Sequence, residues 1–167
     1  LSAQSKKKIY DVIKKYASPG VTVIWEKQAE ARPPKPYISL DIISGPNMIG
    51  NPDEYVDPVD DKVVQTSMRE FVLSVNFFGQ NAFADLGRVQ ESLALPTAGE
   101  MFGEEDLVFV GDNGLRDLSA LMENRYETRS QMDCTFRTTN TVKDFDTTVI
   151  ESVELNNDID GSQALVP

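Results

Sequence analysis

The segment from residue 68 to residue 140 constrains this chain more than any other, because its hydrophobic period switches back and forth within it. Residues 68–78 alternate, with Phe71, Leu73, Val75 and Phe77 on one face and Val72, Ser74 and Asn76 on the other. Gly79-Gln80-Asn81 breaks that pattern, and Phe83, Leu86, Val89 and Leu93 then recur at helical spacing. Residues 122–137 alternate again, now with polar and charged side chains on both faces. The segment therefore reads as strand, helix, strand, turn and long strand. A sheet that gives so much length to polar side chains points to assembly more than to catalysis.

The flanking sequence fits around this unit. Residues 5–16 predict a helix, with Ile9, Val12, Ile13 and Tyr16 on one side, ended by Ser18-Pro19-Gly20. A short strand is expected over 21–26, then a loop over 28–36 that holds Pro33, Pro34 and Pro36. A second strand follows over 37–44, with Ile38, Leu40 and Ile42 inward. Residues 45–62 read as a long exposed loop, with Gly45-Pro46, Gly50, Pro52 and Pro58 beside five carboxylates. A loop of that length is uncommon inside a compact domain and tends to be functional. Its residues Asp53, Glu54, Tyr55, Asp57, Asp60 and Asp61 are candidates for partner contact, and the loop is expected to order against a neighbour.

Pro96 is expected to close the helix over 81–93. Thr97-Ala98-Gly99-Glu100 has capping-box spacing and predicts a short helical turn. Residues 107–110 read as a brief buried strand, Asp112-Asn113-Gly114 as a turn, and 147–155 as a last strand. One domain over 1–155 and an extended or disordered tail over 156–167 result. A helix first, then a predominantly antiparallel sheet with one to two further helices packed on it, is an α+β plan.

Composition removes several function classes. The chain has no histidine, which excludes Ser-His-Asp and Cys-His catalysis and the usual zinc sites. Cys134 is the only cysteine and lies in phase with Met132 and Phe136, as a buried hydrophobe would. No apolar run approaches the ~20 residues of a membrane helix, and no basic-plus-apolar leader is seen. Leu1 is an unusual first residue, so the numbering is expected to omit an initiator or a few residues. The net charge of −11 is uneven: residues 1–17 hold five lysines against Asp11 alone, about +4, which leaves about −15 for the remainder. Acids cluster at 53–61, 100–106 and 144–160. Such a balance argues against gripping nucleic acid, though not against nucleic acid sliding past.

Motifs with chemistry are weak. Asn156-Asn157-Asp158-Ile159-Asp160-Gly161 resembles half an EF-hand loop, but its twelfth position is Pro167 and the shell cannot close. Asp53, Asp60 and Lys62 faintly resemble a metal-dependent nuclease arrangement, but lie in a Pro-rich segment rather than on adjacent strands. No phosphate-binding glycine fingerprint is present, and no cofactor is expected. Arg125, Glu127, Arg129, Gln131, Asp133 and Arg137 form a mixed-sign row on one face of the long strand. Either they pair across strands on a solvated face, or they form a subunit or ring–ring contact. The candidate interface set is Arg125, Glu127, Arg129, Asp133 and Arg137.

Several segments in order carry a resemblance: FVLSVNFFG at 71–79, VFVGDNGLRDLS at 108–119, ENRYETRSQMD at 123–133 and FRTTN at 136–140. Together they resemble the neck/tail terminator proteins of long-tailed bacteriophages, over about residues 9–155. The resemblance implies a non-enzymatic virion protein that forms a ring, usually a hexamer, at the neck. Such a ring caps the tail tube protein, ends tail growth and offers a surface to the head-side connector. It also implies a lumen through which genomic DNA passes without sticking, with no membrane involved and assembly in the host cytoplasm. A neighbouring connector or tail-completion ring, and a metal-dependent nuclease, are the alternatives.

Overall fold

A computed structural model describes residues 1–26, 31–59, 62–122 and 125–143, with only the backbone described at 121, 122, 125 and 126. The element order is helix α1 (Ala3–Tyr16), strands β1 (Thr22–Trp25), β2 (Tyr37–Met48), β3 (Asp53–Val56) and β4 (Val63–Phe78), helices α2 (Ala82–Leu93) and α3 (Pro96–Gly103), then β5 (Leu107–Asp112), β6 (Arg116–Asp117), β7 (Ala120–Met122), β8 (Arg125–Glu127) and β9 (Arg129–Lys143). The main sheet runs β1-β2-β4-β9-β5, with β3 added beside β4 and β6 beside β9. Only β1 and β2 pair in parallel; the other pairings among the described residues are antiparallel. This is the α+β plan that the sequence predicts.

Two long strands form the spine. β4 and β9 pair without interruption from Val64↔Lys143 to Phe78↔Arg129. A period of two puts Phe71, Leu73, Val75 and Phe77 with Met132, Cys134 and Phe136 on one face, where all are buried. The three helices cover that face. α1 contributes Ile9, Val12 and Ile13, and α3 contributes Ala98 and Phe102. Phe136 sits at the centre of an aromatic cluster, 5.5 Å from Phe71, 5.2 Å from Phe102 and 5.5 Å from Phe109 between ring centroids.

Helix boundaries follow local chemistry. α1 starts two residues earlier than the hydrophobic pattern indicates, because Ser2 caps it: its Oγ accepts from the Ser5 amide at 2.9 Å. Lys14 and Lys15 in the last turn suit the negative end of the helix dipole. α2 buries Ala82, Leu86, Val89 and Leu93, while Phe83, expected inward, is 52% exposed. Pro96 does not simply close α2. It opens α3 at the first helical position, where its missing N–H costs nothing. Thr97 is therefore not a cap, and its hydroxyl bonds that of Tyr16 at 2.9 Å.

Three strand expectations are corrected. Residues 45–62 are not one loop: β2 runs on to Met48, and Asp53–Val56 pairs with Val63–Thr66. The Gly-Pro pair that reads as a breaker is an irregularity inside β2, whose register on β4 shifts between Ile42/Ser44 and Ser44/Asn47. Gly45 is required there, since its φ is +83° and a Cβ would lie 2.4 Å from the Glu70 carbonyl oxygen. Residues 122–137 are not one strand either. β7 and β8 form a separate hairpin, and β9 begins only at Arg129 and continues to Lys143. β5 is an edge strand rather than a buried one, with Leu107 inward but Val108 and Val110 exposed. The turn at Asp112-Asn113-Gly114 is present, with Asp112 accepting from the Gly114 amide at 2.8 Å. The strand expected over 147–155 and the tail from 156 lie outside the described residues.

Beyond Phe71 and Phe136 the β4–β9 ladder continues past the helices. With β3 it forms a three-stranded arm. This half has few apolar residues to bury, so the core and its stability reside in the other half. Phe136→Ala is accordingly expected to cost about 3–5 kcal/mol. Phe83→Ala, at an exposed site, should stay within about 0.5 kcal/mol. Urea unfolding of the two variants measures both, and similar losses would contradict this placement of the core.

Candidate functional site

The same alternation that fills the core gives the opposite sheet face to polar groups. Across it lie Ser39 from β2, Glu70, Ser74 and Asn76 from β4, and Arg129, Gln131, Asp133 and Arg137 from β9. Ser39, Ser74 and Asn76 are buried, although the helices pack on the other side. Longer polar side chains lie over them and satisfy them. Gln131 donates to Ser74 Oγ and to Asp133 Oδ1, both at 2.9 Å. Ser39 donates to Glu26 Oε1 at 2.7 Å.

The candidate interface row divides on inspection. Arg129 donates to Asn76 Oδ1 at 2.8 Å, and its guanidinium stands 5.0 Å over the Phe78 ring, which stacks on Tyr37 at 4.7 Å. Asp133 accepts from Asn113 Nδ2 at 3.0 Å and forms an ion pair with Arg116. Arg137 Nε donates to Glu70 Oε2 at 3.0 Å. Glu127 lies on β8 rather than β9 and pairs with Lys35. Arg125 is also on β8, within the segment where only the backbone is described. The structure thus brings Arg129, Asp133 and Arg137 together on one face and sets Glu127 apart at its end.

Electrostatics follow these contacts. Burial pushes the Asp133 carboxyl upward, but hydrogen bonds from Gln131, Ser74 and Asn113, with the Arg116 charge, outweigh it and hold the pKa below the usual aspartate range. Lys35 does the same for Glu127. Burial drives the Cys134 thiol far above its ordinary value, and Asp112 and Asp133 add to the shift. Cys134 is a fully buried core residue, as its phase predicts, and not a nucleophile.

Of the partner-contact candidates, Asp53, Glu54 and Tyr55 stand on β3 with every residue of that strand exposed. Asp57 follows it and accepts from Lys143 Nζ at 2.6 Å. Asp60 and Asp61 lie outside the described residues, as does the segment 156–161, and with them the nuclease-like and calcium-like constellations. Among the described residues no three His, Cys, Asp or Glu side chains are grouped to hold a metal ion, and no helix is long and apolar enough to cross a membrane.

Sequence reading finds the row but misses its partners. Ser74, Asn76 and Glu70 are recoverable in principle, because aligning the two alternating segments in antiparallel register pairs them with Asp133, Gln131 and Arg137. Arg116 and Asn113 carry no such periodic signal, since they reach the face from a two-residue strand and a turn, and Lys35 meets Glu127 from a loop.

The depressed Asp133 pKa gives a stability that is present above the ordinary aspartate pKa. It is lost as pH falls through about 4 and below, where the folded state must take up the proton. Asp133→Asn should therefore lose about 1–3 kcal/mol at neutral pH and show a flatter acid limb than wild type. Thermal midpoints measured from pH 7 to pH 3 test this, and parallel curves for the two proteins would contradict it.

The described chain thus offers a broad, mixed-sign sheet face and a protruding arm, with no assembled catalytic group. Comparison with known proteins agrees with that character. No curated protein matches the chain. The family model described as phage neck terminator protein matches residues 7–162, which takes in the helical layer, the polar face and the arm. The chain belongs to the phage neck terminator protein family and is a structural protein of the bacteriophage neck.

Proposed function

We propose that this protein forms a closed ring, a hexamer, at the neck of a tailed phage. The ring caps the last ring of the tail tube protein, ends tail polymerisation and presents a joining surface to the head-side connector. The family match over residues 7–162 carries this reading. The polar sheet face supports it. A face of paired charges, with apolar side chains such as Val108 exposed among them, is suited to setting register against another protein surface. The protein acts without catalysis or cofactor, and assembles in the host cytoplasm before becoming part of the virion. Genomic DNA passes through the lumen without specific binding, which a chain of net charge −11 favours by repelling phosphate.

Within the ring, Arg125, Glu127, Arg129, Asp133 and Arg137 belong to the subunit or ring–ring contact. Asp53, Glu54, Tyr55, Asp57, Asp60 and Asp61 belong to a second contact with a neighbour. Because Arg129 is held over Phe78 and bonded to buried Asn76, its replacement disturbs the subunit itself. Arg137, paired with Glu70 at the half-exposed end of the row, is the better probe. That pair is worth about 0–1 kcal/mol within the subunit.

Negative-stain microscopy of the purified chain should show closed rings. Adding the chain to polymerising tubes should place the ring at the tube end and stop growth. A ring found only on the connector face would make this a connector protein, and magnesium-dependent DNA cleavage would overturn the structural reading. Arg137→Glu should lower ring formation while circular dichroism stays unchanged. Adding Glu70→Arg rebuilds the pair inside the subunit and should not restore the ring. Full restoration by Glu70→Arg would show that the row works within the subunit and not between subunits.

A further inference from the structure

The arm is unusual in what it exposes. Tyr55 is 54% exposed and Met68 48% exposed, on a segment that no helix covers. Strand alternation places Asp53 and Tyr55 on one side of β3. The pairing of Tyr55 with Val64 sets Met68 on that same side of the arm. The arm thus presents an aromatic ring, a flexible thioether and a carboxylate together.

A complementary surface lies at the other end of the subunit, between α1 and the β1–β2 edge. Tyr10, Trp25 and Ile42 line an open groove of about 670 Å³ together with Lys6 and Lys7. Lys6 Nζ lies 5.8 Å from the Trp25 ring, and Lys7 bonds Asp11 at 2.8 Å on the exposed side of the helix. Glu26 and Asp41 also line the groove, with Glu26 bonded by Ser39. The helix carries the chain's excess of lysine, whereas residues 53–61 are among its most acidic. Tryptophan and tyrosine in a concave site are the residue types that most often anchor a protein contact.

The subunit's own arm cannot fill this groove. Ile42 pairs with Leu73, whereas Tyr55 pairs with Val64 nine residues earlier on the same strand. That separation is about 30 Å along a rigid strand. A second copy has no such restriction, and a contact between two different patches is the head-to-tail kind, which closes into a ring when its rotation divides the full turn.

We propose that the arm of one subunit docks into the α1–β1–β2 groove of the next, with Tyr55 seated against Tyr10 and Trp25 and Asp53 facing Lys6 and Lys7. This rests on the ring reading and names one of its contacts. The aromatic insertion supplies affinity, and the carboxylate–lysine pairing fixes which way the arm enters.

The test uses the full chain. Rings assembled from mixed nitrogen-14 and nitrogen-15 subunits, treated with a zero-length carbodiimide, should yield a cross-link from Asp53 to Lys6 or Lys7 in isotopically mixed peptides. Tyr55→Ala and Asp53→Lys should each weaken ring association at least tenfold in sedimentation velocity, with the monomer's circular dichroism unchanged. Combining Asp53→Lys with Lys6→Glu should recover most of the loss. That charge swap leaves Tyr55 in place, so it decides the matter even if Tyr55→Ala misfolds. Rings that form normally in all three variants, with no such cross-link, refute the arm contact and leave the ring standing. A wild-type chain that stays monomeric at every concentration refutes the ring reading and this contact with it.

Discussion

The antiparallel ladder between β4 and β9 is the constraint on which the rest of this protein depends. It runs in one register from Val64↔Lys143 to Phe78↔Arg129, and β2, β3, β5 and β6 all attach to one or other of these strands. Because side chains alternate, a slip of β9 by one residue against β4 would turn Met132, Cys134 and Phe136 out to the polar face and send Asp133 under the helices. The aromatic contacts around Phe136 prevent that slip, since Phe71 and Phe136 stack only in this register. One interaction therefore sets both the core and the composition of the surface behind it.

The same ladder explains why the molecule has two unequal halves. Where helices cover the sheet, apolar residues recur every second position and are buried. Past Phe71 the strands keep their hydrogen bonds but change their side chains to Arg69, Ser67, Gln65 and their partners Thr138, Asn140 and Val142. Backbone pairing persists because the register is already fixed by the core half. The arm is thus a strand extension held at its root rather than a unit with a core of its own. Tyr55 and Met68 stand exposed on this extension and add little to the core of the isolated subunit.

How much of this is legible in the sequence depends on whether period or partner decides the outcome. Period decides the core: Ile9, Val12 and Ile13, then Phe71 to Phe77, then Met132, Cys134 and Phe136 are all read correctly from spacing alone. Partners decide the rest. Gly45-Pro46 looks like the end of a strand, but β4 carries β2 past it through a bulge. Asp53–Val56 looks too acidic for a strand, yet it pairs because Val63–Thr66 runs back beside it. The alternation over 122–137 looks continuous, but the chain leaves one sheet and joins another near Thr128, whose carbonyl accepts from Gly79. Phe83 falls outside the buried stripe of α2, which runs through Ala82, Leu86, Val89 and Leu93. The polar row is legible as a row, while Asn113, Arg116 and Lys35 become visible only once the turn and loops are folded against it.

The polar face then raises a physical question of its own. Covering a sheet with arginine, glutamine and aspartate in place of a second helical layer gives up the apolar burial that such a layer would supply. Most of the charged groups are satisfied within the subunit, so the face is not a set of open valences waiting for a ligand. It is better understood as a surface whose shape is fixed in advance. Arg129 is pinned over Phe78, Gln131 bridges Ser74 and Asp133, and Arg116 closes the end. Side chains already held in place lose little further freedom when a flat partner arrives, and that reduces the entropic cost of association. Mixed signs at fixed positions also penalise a rotated or shifted approach, because like charges would then meet. The ring proposed above has to meet its neighbours in one orientation and hold it. For that task a rigid, charge-patterned face serves better than a sticky apolar one, which would associate in many registers and too early.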